Sequence, residues 1–148
     1  MKKVLITAVV LSLFVLSAFT VTQNKLISKD THISFFSHTS VEDITANNYK
    51  VVSTLDTSTG AIVYSVPMQS FEFEKALMQK HYNSDKFLDT KTYPKAKFVG
   101  KITNLTNVDF TKDGTYDVSV TGDLTIKDKT NSINEKATII VELSLIHI

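Results

Sequence analysis

His81, Ser84, Asp85 and Asp89 lie within one short stretch, the side-chain types from which a Ser, His and acid hydrolytic triad is built. That chemistry needs a strained nucleophile turn and an oxyanion hole, and no G-x-S-x-G occurs in the chain. His32, His38 and His81 invite a metal reading, but their placement on strands and a helix gives no ligand spacing. His147 falls in a suspect terminal segment. We therefore expect no catalytic and no metal-binding residues, and no cofactor. His81 and Asp89 are instead expected to hydrogen-bond locally and fix one element over another.

The elements that hold these residues follow from composition and pattern. The chain has 148 residues, 43% hydrophobic and 21% charged, with 16 Lys plus Arg against 15 Asp plus Glu. Such a balance lacks the basic excess or stripe of a nucleic-acid binder, so none is expected as partner. Cysteine is absent, which excludes a lipoprotein acylation site, a disulfide framework and thiolate metal sites. Residues 1–22 read as a signal peptide: "MKK" is the positive n-region, "VLITAVVLSLFVLSAF" the apolar h-region, and small or polar residues follow. The apolar run is shorter than the roughly 20 residues that span a bilayer, which disfavours an uncleaved anchor. Export to the periplasm or medium is expected. The last six residues, LSLIHI, read as a non-native, adaptor-derived tail (143–148) on a truncated frame, the alternative being a genuine final strand.

Between these ends the signal is alternation. In "TYDVSVTGDLTIK" Tyr116, Val118, Val120, Gly122, Leu124 and Ile126 share one face and polar residues the other. "AKFVGKITN" and "SINEKATIIV" repeat the period, and "THISFFSH", "YKVVSTL" and "AIVYSVPM" read as further strands. Turn residues separate them, so six strands in an antiparallel meander are expected. "FEFEKALMQKHYNSDKFL" has helical spacing at Phe73, Leu77, His81 and Tyr82, with Ser84 or Asp85 placed to cap a second short turn. A lone helix among such strands most easily crosses a barrel mouth. Lys95, Lys97 and Lys101 on the outer face argue for water rather than lipid around the barrel.

The ordered set in "HYNSDKFLDTKTYPKAKFVGKI" followed by "YDVSVTGDLTIKDKTNSI" resembles the YceI-like family of exported bacterial proteins. The resemblance covers residues 23–142 and implies a lipocalin-like antiparallel β-barrel with one helical insertion, here incomplete at its C-terminal end. It implies that His81, Phe87, Asp89, Tyr93, Pro94, Phe98, Gly122, Leu124 and Thr130 occupy marker positions. Some members hold a polyisoprenoid in an apolar tunnel, so a long-chain isoprenoid or other apolar lipid is the implied ligand. The chain departs from the pattern at Asp128, where the family has a turn glycine, and at "MQK", where many members carry Arg-Asp.

A hydrocarbon tunnel needs apolar walls and no buried charge. Phe35, Phe87, Phe98, Ile102, Val118, Val120 and Leu124, with Phe71, Phe73 and Leu77 near the mouth, supply them. Burying ten methylenes at about 0.8 kcal/mol each gives roughly 8 kcal/mol, comparable to micromolar affinity before ordering costs. The same residues packed on one another would form an ordinary core. The lysines from Lys86 to Lys101 form a solvated face open to transient contact with a membrane surface. The expected function is therefore an exported, non-enzymatic lipid-binding barrel. The alternatives are a hydrolase or isomerase acting on an amphiphile at the mouth, and a ligand-free structural or stress protein.

Overall fold

The computed structural model describes residues 24–143. The expected signal peptide lies outside the described residues, as does the suspected tail apart from Leu143. Seven strands and one helix follow in the order β1 (Lys25–His38), β2 (Asp43–Asp56), β3 (Ala61–Pro67), β4 (Glu72–Phe73), α1 (Ala76–Asn83), β5 (Lys95–Ile102), β6 (Gly114–Ile126) and β7 (Lys129–Val141). All pairings are antiparallel in the sheet order β1-β2-β3-β5-β6-β7, the meander the turn signals predict. The sheet curls into a half-barrel, and among the described residues β1 and β7 each pair on one side only.

The expected six strands become seven because β2 is long enough to pair twice. Its C-terminal part pairs β3, from Val52↔Ser65 to Leu55↔Ile62, while Ala46↔Phe73 and Asn47↔Glu72 bring in β4. At the fork sits Asn48, fully buried, donating from Nδ2 to the Pro67 carbonyl at 2.8 Å and accepting the Lys50 amide at 3.0 Å. A buried amide must be paired in this way or it opposes folding. Register shifts around Thr31 in β1 absorb the bend beside this point.

Pairing of Phe73 into β4 also shortens the helix. α1 begins at Ala76 rather than near Phe73, and after Asn83 the chain runs through turns instead of a second helical turn. Leu77, expected at the barrel mouth, consequently falls on the solvent side and is 63% exposed. The inner face behaves as its alternation predicts: Ala96 and Ile102 on β5 and Val118 on β6 are buried, while Lys95, Lys97 and Lys101 are exposed.

Gly100 and Gly122 face each other across β5 and β6 because an aromatic ring occupies their space. A Cβ on Gly100 would come within 2.6 Å of Phe98 Cζ and 2.5 Å of the Thr121 carbonyl; one on Gly122 would lie 2.4 Å from Gly100 Cα. The room these glycines provide is filled by Phe98, which also packs against Tyr64 at 6.2 Å between ring centroids. Beyond them, β6 and β7 form an unbroken ladder from Gly114↔Val141 to Ile126↔Lys129. The positive backbone angle in its turn falls at Lys127 (φ 56°) rather than at Asp128, as in a type II′ turn.

Candidate functional site

The core gathers at one end of the half-barrel, where Ala46, Val51, Val66, Met68, Phe71, Tyr82 and Ala96 are buried with Ile33, Tyr64, Phe73 and Leu88 against them. Within it lies an apolar cavity of about 480 Å³. Ile33 and Phe35 of β1, Val66 of β3, Ala96 of β5 and Leu124 and Ile126 of β6 form its sheet wall. Met68, Phe71, Tyr82, Phe87 and Leu88 close it from the segment between β3 and β5. The volume is within the range of small-molecule sites.

The closing side is an aromatic cluster. Phe35 stands 5.4 Å from Phe71, 5.9 Å from Phe73 and 6.2 Å from Tyr82, while Phe73 and Tyr82 are 4.9 Å apart. Tyr82 Oη is buried without a hydrogen-bond partner, and burial pushes the phenol's pKa well above its ordinary value. That oxygen is the one side-chain polar atom among the residues lining the cavity.

Polar side chains outside the cavity hold the closing segment in place. Gln79 of α1 donates to the Phe71 carbonyl at 2.6 Å and accepts the Phe73 amide at 3.2 Å. Thr90, fully buried, donates to Asn83 Oδ1 at 2.8 Å, and its carbonyl accepts from Gln69. Asp89 adopts a left-handed φ of 45°, and its carbonyl accepts the amides of Thr92 and Tyr93. The Met68 amide donates to the Pro94 carbonyl at 2.9 Å, tying this loop to the end of β3. From β6–β7, Lys127 Nζ donates to the Phe87 carbonyl at 2.9 Å and sits 5.5 Å from the centre of the Tyr93 ring. Thr130 pairs with Thr125 across the same hairpin, hydroxyl to hydroxyl at 2.8 Å.

The structure therefore brings together four of the ten residues assigned to the cavity from the sequence: Phe35, Phe71, Phe87 and Leu124. Phe73 lines a neighbouring cleft, and Leu77 lines neither. Phe98 fills the space over the glycines, whereas Ile102 packs towards Gly60 and Leu105 at the far end of the sheet. Val118 and Val120 lie on the same far half of β6, opposite Ala137 and Glu135. They share the inner face with Leu124 but not its end of the sheet. Tyr82, Met68, Leu88 and Ile33 line the cavity as well but are not assigned to it from the sequence. Tyr82 carried a signal, since it follows Phe73 and His81 in the helical spacing, but its burial depends on the β4 pairing.

His81 and Asp89 act locally through their backbones. The His81 carbonyl accepts both the amide and hydroxyl of Ser84, at 3.1 and 2.7 Å, and the Asp89 amide donates to the Ser84 carbonyl. The Ser84 hydroxyl is thus directed at a carbonyl and not at an imidazole.

Two clefts lie beside the cavity, related to it by shared lining residues. The first, about 440 Å³, is lined by Ser37, Glu42, Ile44, Phe73, Met78 and His81 and shares Phe35, Tyr82 and Phe87 with the cavity. The next, about 490 Å³, shares Ile44, Phe73 and Met78 with the first and is otherwise polar, with Asp43, Thr45, Asn47, Glu72, Glu74 and Lys75. Lys75 forms an ion pair with Glu42, which raises the lysine's pKa, and His38 Nδ1 lies 2.5 Å from Asp43.

A half-barrel with a helix-bearing closure over an apolar cavity agrees with the comparison to protein families, in which the YceI-like domain matches residues 24–145. The chain belongs to the YceI-like family. Among solved structures, a polyisoprenoid binding domain from Saccharophagus degradans implicated in plant cell wall breakdown is similar in fold, with a TM-score of 0.63 and 12% identity over 81% of this chain and 69% of that one. A Campylobacter jejuni YCEI protein is 15% identical over 80% of this chain, with a TM-score of 0.43. Burkholderia cenocepacia BcnA is 17% identical over 74%, with a TM-score of 0.41. The YceI-like chain spans 56% of the length of each of these last two. A comparison with curated protein sequences finds no match.

Proposed function

We propose that this YceI-like chain binds a long apolar lipid, a polyisoprenoid or similar molecule, and carries or sequesters it without chemical change. The observation that carries the reading is the cavity of about 480 Å³ walled by aliphatic and aromatic side chains, with Tyr82 Oη its single side-chain polar atom. Such walls exclude charge and gain free energy in proportion to the hydrocarbon surface they cover. Family membership and the fold shared with a polyisoprenoid binding domain support the same ligand class. A hydrolase or isomerase would need a nucleophile or base beside the ligand, whereas the lining of the cavity itself is aliphatic and aromatic.

The reading extends to place and partner. The N-terminal pattern of residues 1–22 supports export, hence a periplasmic or secreted protein. Transient contact with a membrane surface would let an apolar ligand enter without crossing water, and Phe87, 62% exposed at the cavity and its adjoining cleft, is placed to make it.

Organic extraction of the purified protein followed by mass spectrometry tests the proposal. An isoprenoid or other long-chain lipid in near-stoichiometric amount is the expected result. Absence of lipid, together with no saturable uptake of a long prenol from vesicles, would overturn it.

A further inference from the structure

Three side chains that line the apolar cavity also meet solvent: Phe87 at 62% exposure, Ile126 at 38% and Phe35 at 36%. The cavity therefore opens among them. On the Phe35 side, the neighbouring clefts are lined by Glu42, Asp43, Glu72 and Glu74, and the Lys75 found there is paired with Glu42. The Ile126 side has the opposite charge. Ile126 ends β6, and the turn that follows it reads Lys127, Asp128, Lys129.

Geometry joins this turn to the loop that closes the cavity. Lys127 Nζ donates to the Phe87 carbonyl at 2.9 Å and lies 5.5 Å from the centre of the Tyr93 ring. Lys86 and Lys91 belong to that loop, Lys95 begins β5 directly after it, and all three are exposed, as is Lys129. Residues 84–95 and 127–129 together hold five lysines against three aspartates. Exposed apolar side chains set among lysines suit an anionic bilayer, whose headgroups attract the cations while its acyl boundary receives the apolar groups.

We propose that the rim formed by Phe87, Ile126 and the β6–β7 turn is a docking face for an anionic phospholipid bilayer, with the cavity mouth against the membrane and the acidic clefts turned away. The proposal rests on the lipid-binding reading above for its purpose and adds the face, its orientation and the charge of the lipid. Repulsion between the cleft carboxylates and the same headgroups sets the orientation, because only the lysine side lowers the electrostatic energy on approach.

Co-sedimentation of the purified chain with phosphatidylcholine vesicles, with and without phosphatidylglycerol, tests the proposal. Binding about tenfold or more tighter to the anionic vesicles is expected at low salt, and less as salt is added. The Lys86→Gln/Lys91→Gln/Lys129→Gln variant is expected to lose most of that preference. Lys101→Gln/Lys112→Gln/Lys136→Gln, equal in net charge but away from the cavity rim, is expected to keep it. All these chains share the same N-terminal residues, so a difference between them belongs to the face, and circular dichroism checks that each is folded. Because the chain contains no tryptophan, Phe87→Trp supplies a single reporter whose emission should shift to the blue on anionic vesicles. Equal losses in the two triple variants, or an unshifted emission from vesicle-bound Phe87→Trp, would overturn the docking face. No adsorption by a chain from which lipid can be extracted would also overturn it and leave the lipid-binding reading standing. Adsorption through this face by a chain without extractable lipid would support the docking face and remove the lipid-binding reading.

Discussion

Tyr82 is the residue at which packing and polarity conflict. Its ring is needed against Phe35, Phe71 and Phe73, but its hydroxyl is buried with no partner. An unsatisfied buried hydroxyl costs about 1–3 kcal/mol. Tyr82→Phe is accordingly expected to keep the fold and leave stability unchanged or raised by about 1 kcal/mol in urea denaturation. Alkali supplies a second readout. Burial raises the phenol's pKa in the folded state, so above about pH 10 an unfolded chain loses the Tyr82 proton while the folded one keeps it. The unfolded state then binds fewer protons, and stability contributed by this residue, fully present below pH 10, falls as pH rises by up to about 1.4 kcal/mol per unit. Comparing alkaline denaturation of wild type and Tyr82→Phe isolates that slope, which is expected to be shallower in the variant. At the wall, Leu124→Asp would place a carboxylate inside an apolar space and is expected to abolish lipid uptake measured against vesicles. Leu124 was legible as a lining residue because strand alternation assigns a face. Alternation does not assign a position along the strand, so Ile102, Val118 and Val120 share that face yet lie at its other end.

Elements place residues that alternation alone cannot. The strands were legible wherever inner and outer residues alternate, as in β5 and β6, and the meander followed from the short turns between them. The β4 pairing was not, because a two-residue strand leaves no period to read and is made only by the length of β2. It determines where α1 begins, which residues face solvent and that Tyr82 is buried. The glycine pair in β5 and β6 makes room in the sheet, and the occupant of that room is Phe98. Gly122→Ala would drive a methyl group into Gly100, Val99 and the Phe98 ring, with backbone atoms among the obstacles. A loss of about 1–3 kcal/mol is expected by thermal or urea unfolding. Pairing it with Phe98→Leu should restore part of that loss, whereas a strain unrelated to the ring would not respond.

At the scale of the whole molecule, β1 and β7 are the edge strands of the sheet among the described residues. β7 adds Ile140, 65% exposed, beside that edge. Exposed strands of this kind pair readily with other chains. Ile140→Lys is expected to reduce concentration-dependent association in light scattering without lowering the unfolding midpoint. The unbroken β6–β7 ladder has a further consequence, for the order of folding. Its contacts are short in sequence, joined through one tight turn, so the hairpin closes with little loss of chain entropy and is expected to form early. The cavity draws on residues from Ile33 to Ile126 and depends on contacts made across most of the chain. It would therefore be completed late, after β6 has already presented Leu124 and Ile126 as half of its wall. A lipid present at that moment meets an unfinished pocket and enters it more readily than the finished one. Refolding from urea beside prenol-loaded vesicles should then yield more loaded protein than adding the same vesicles to the folded chain.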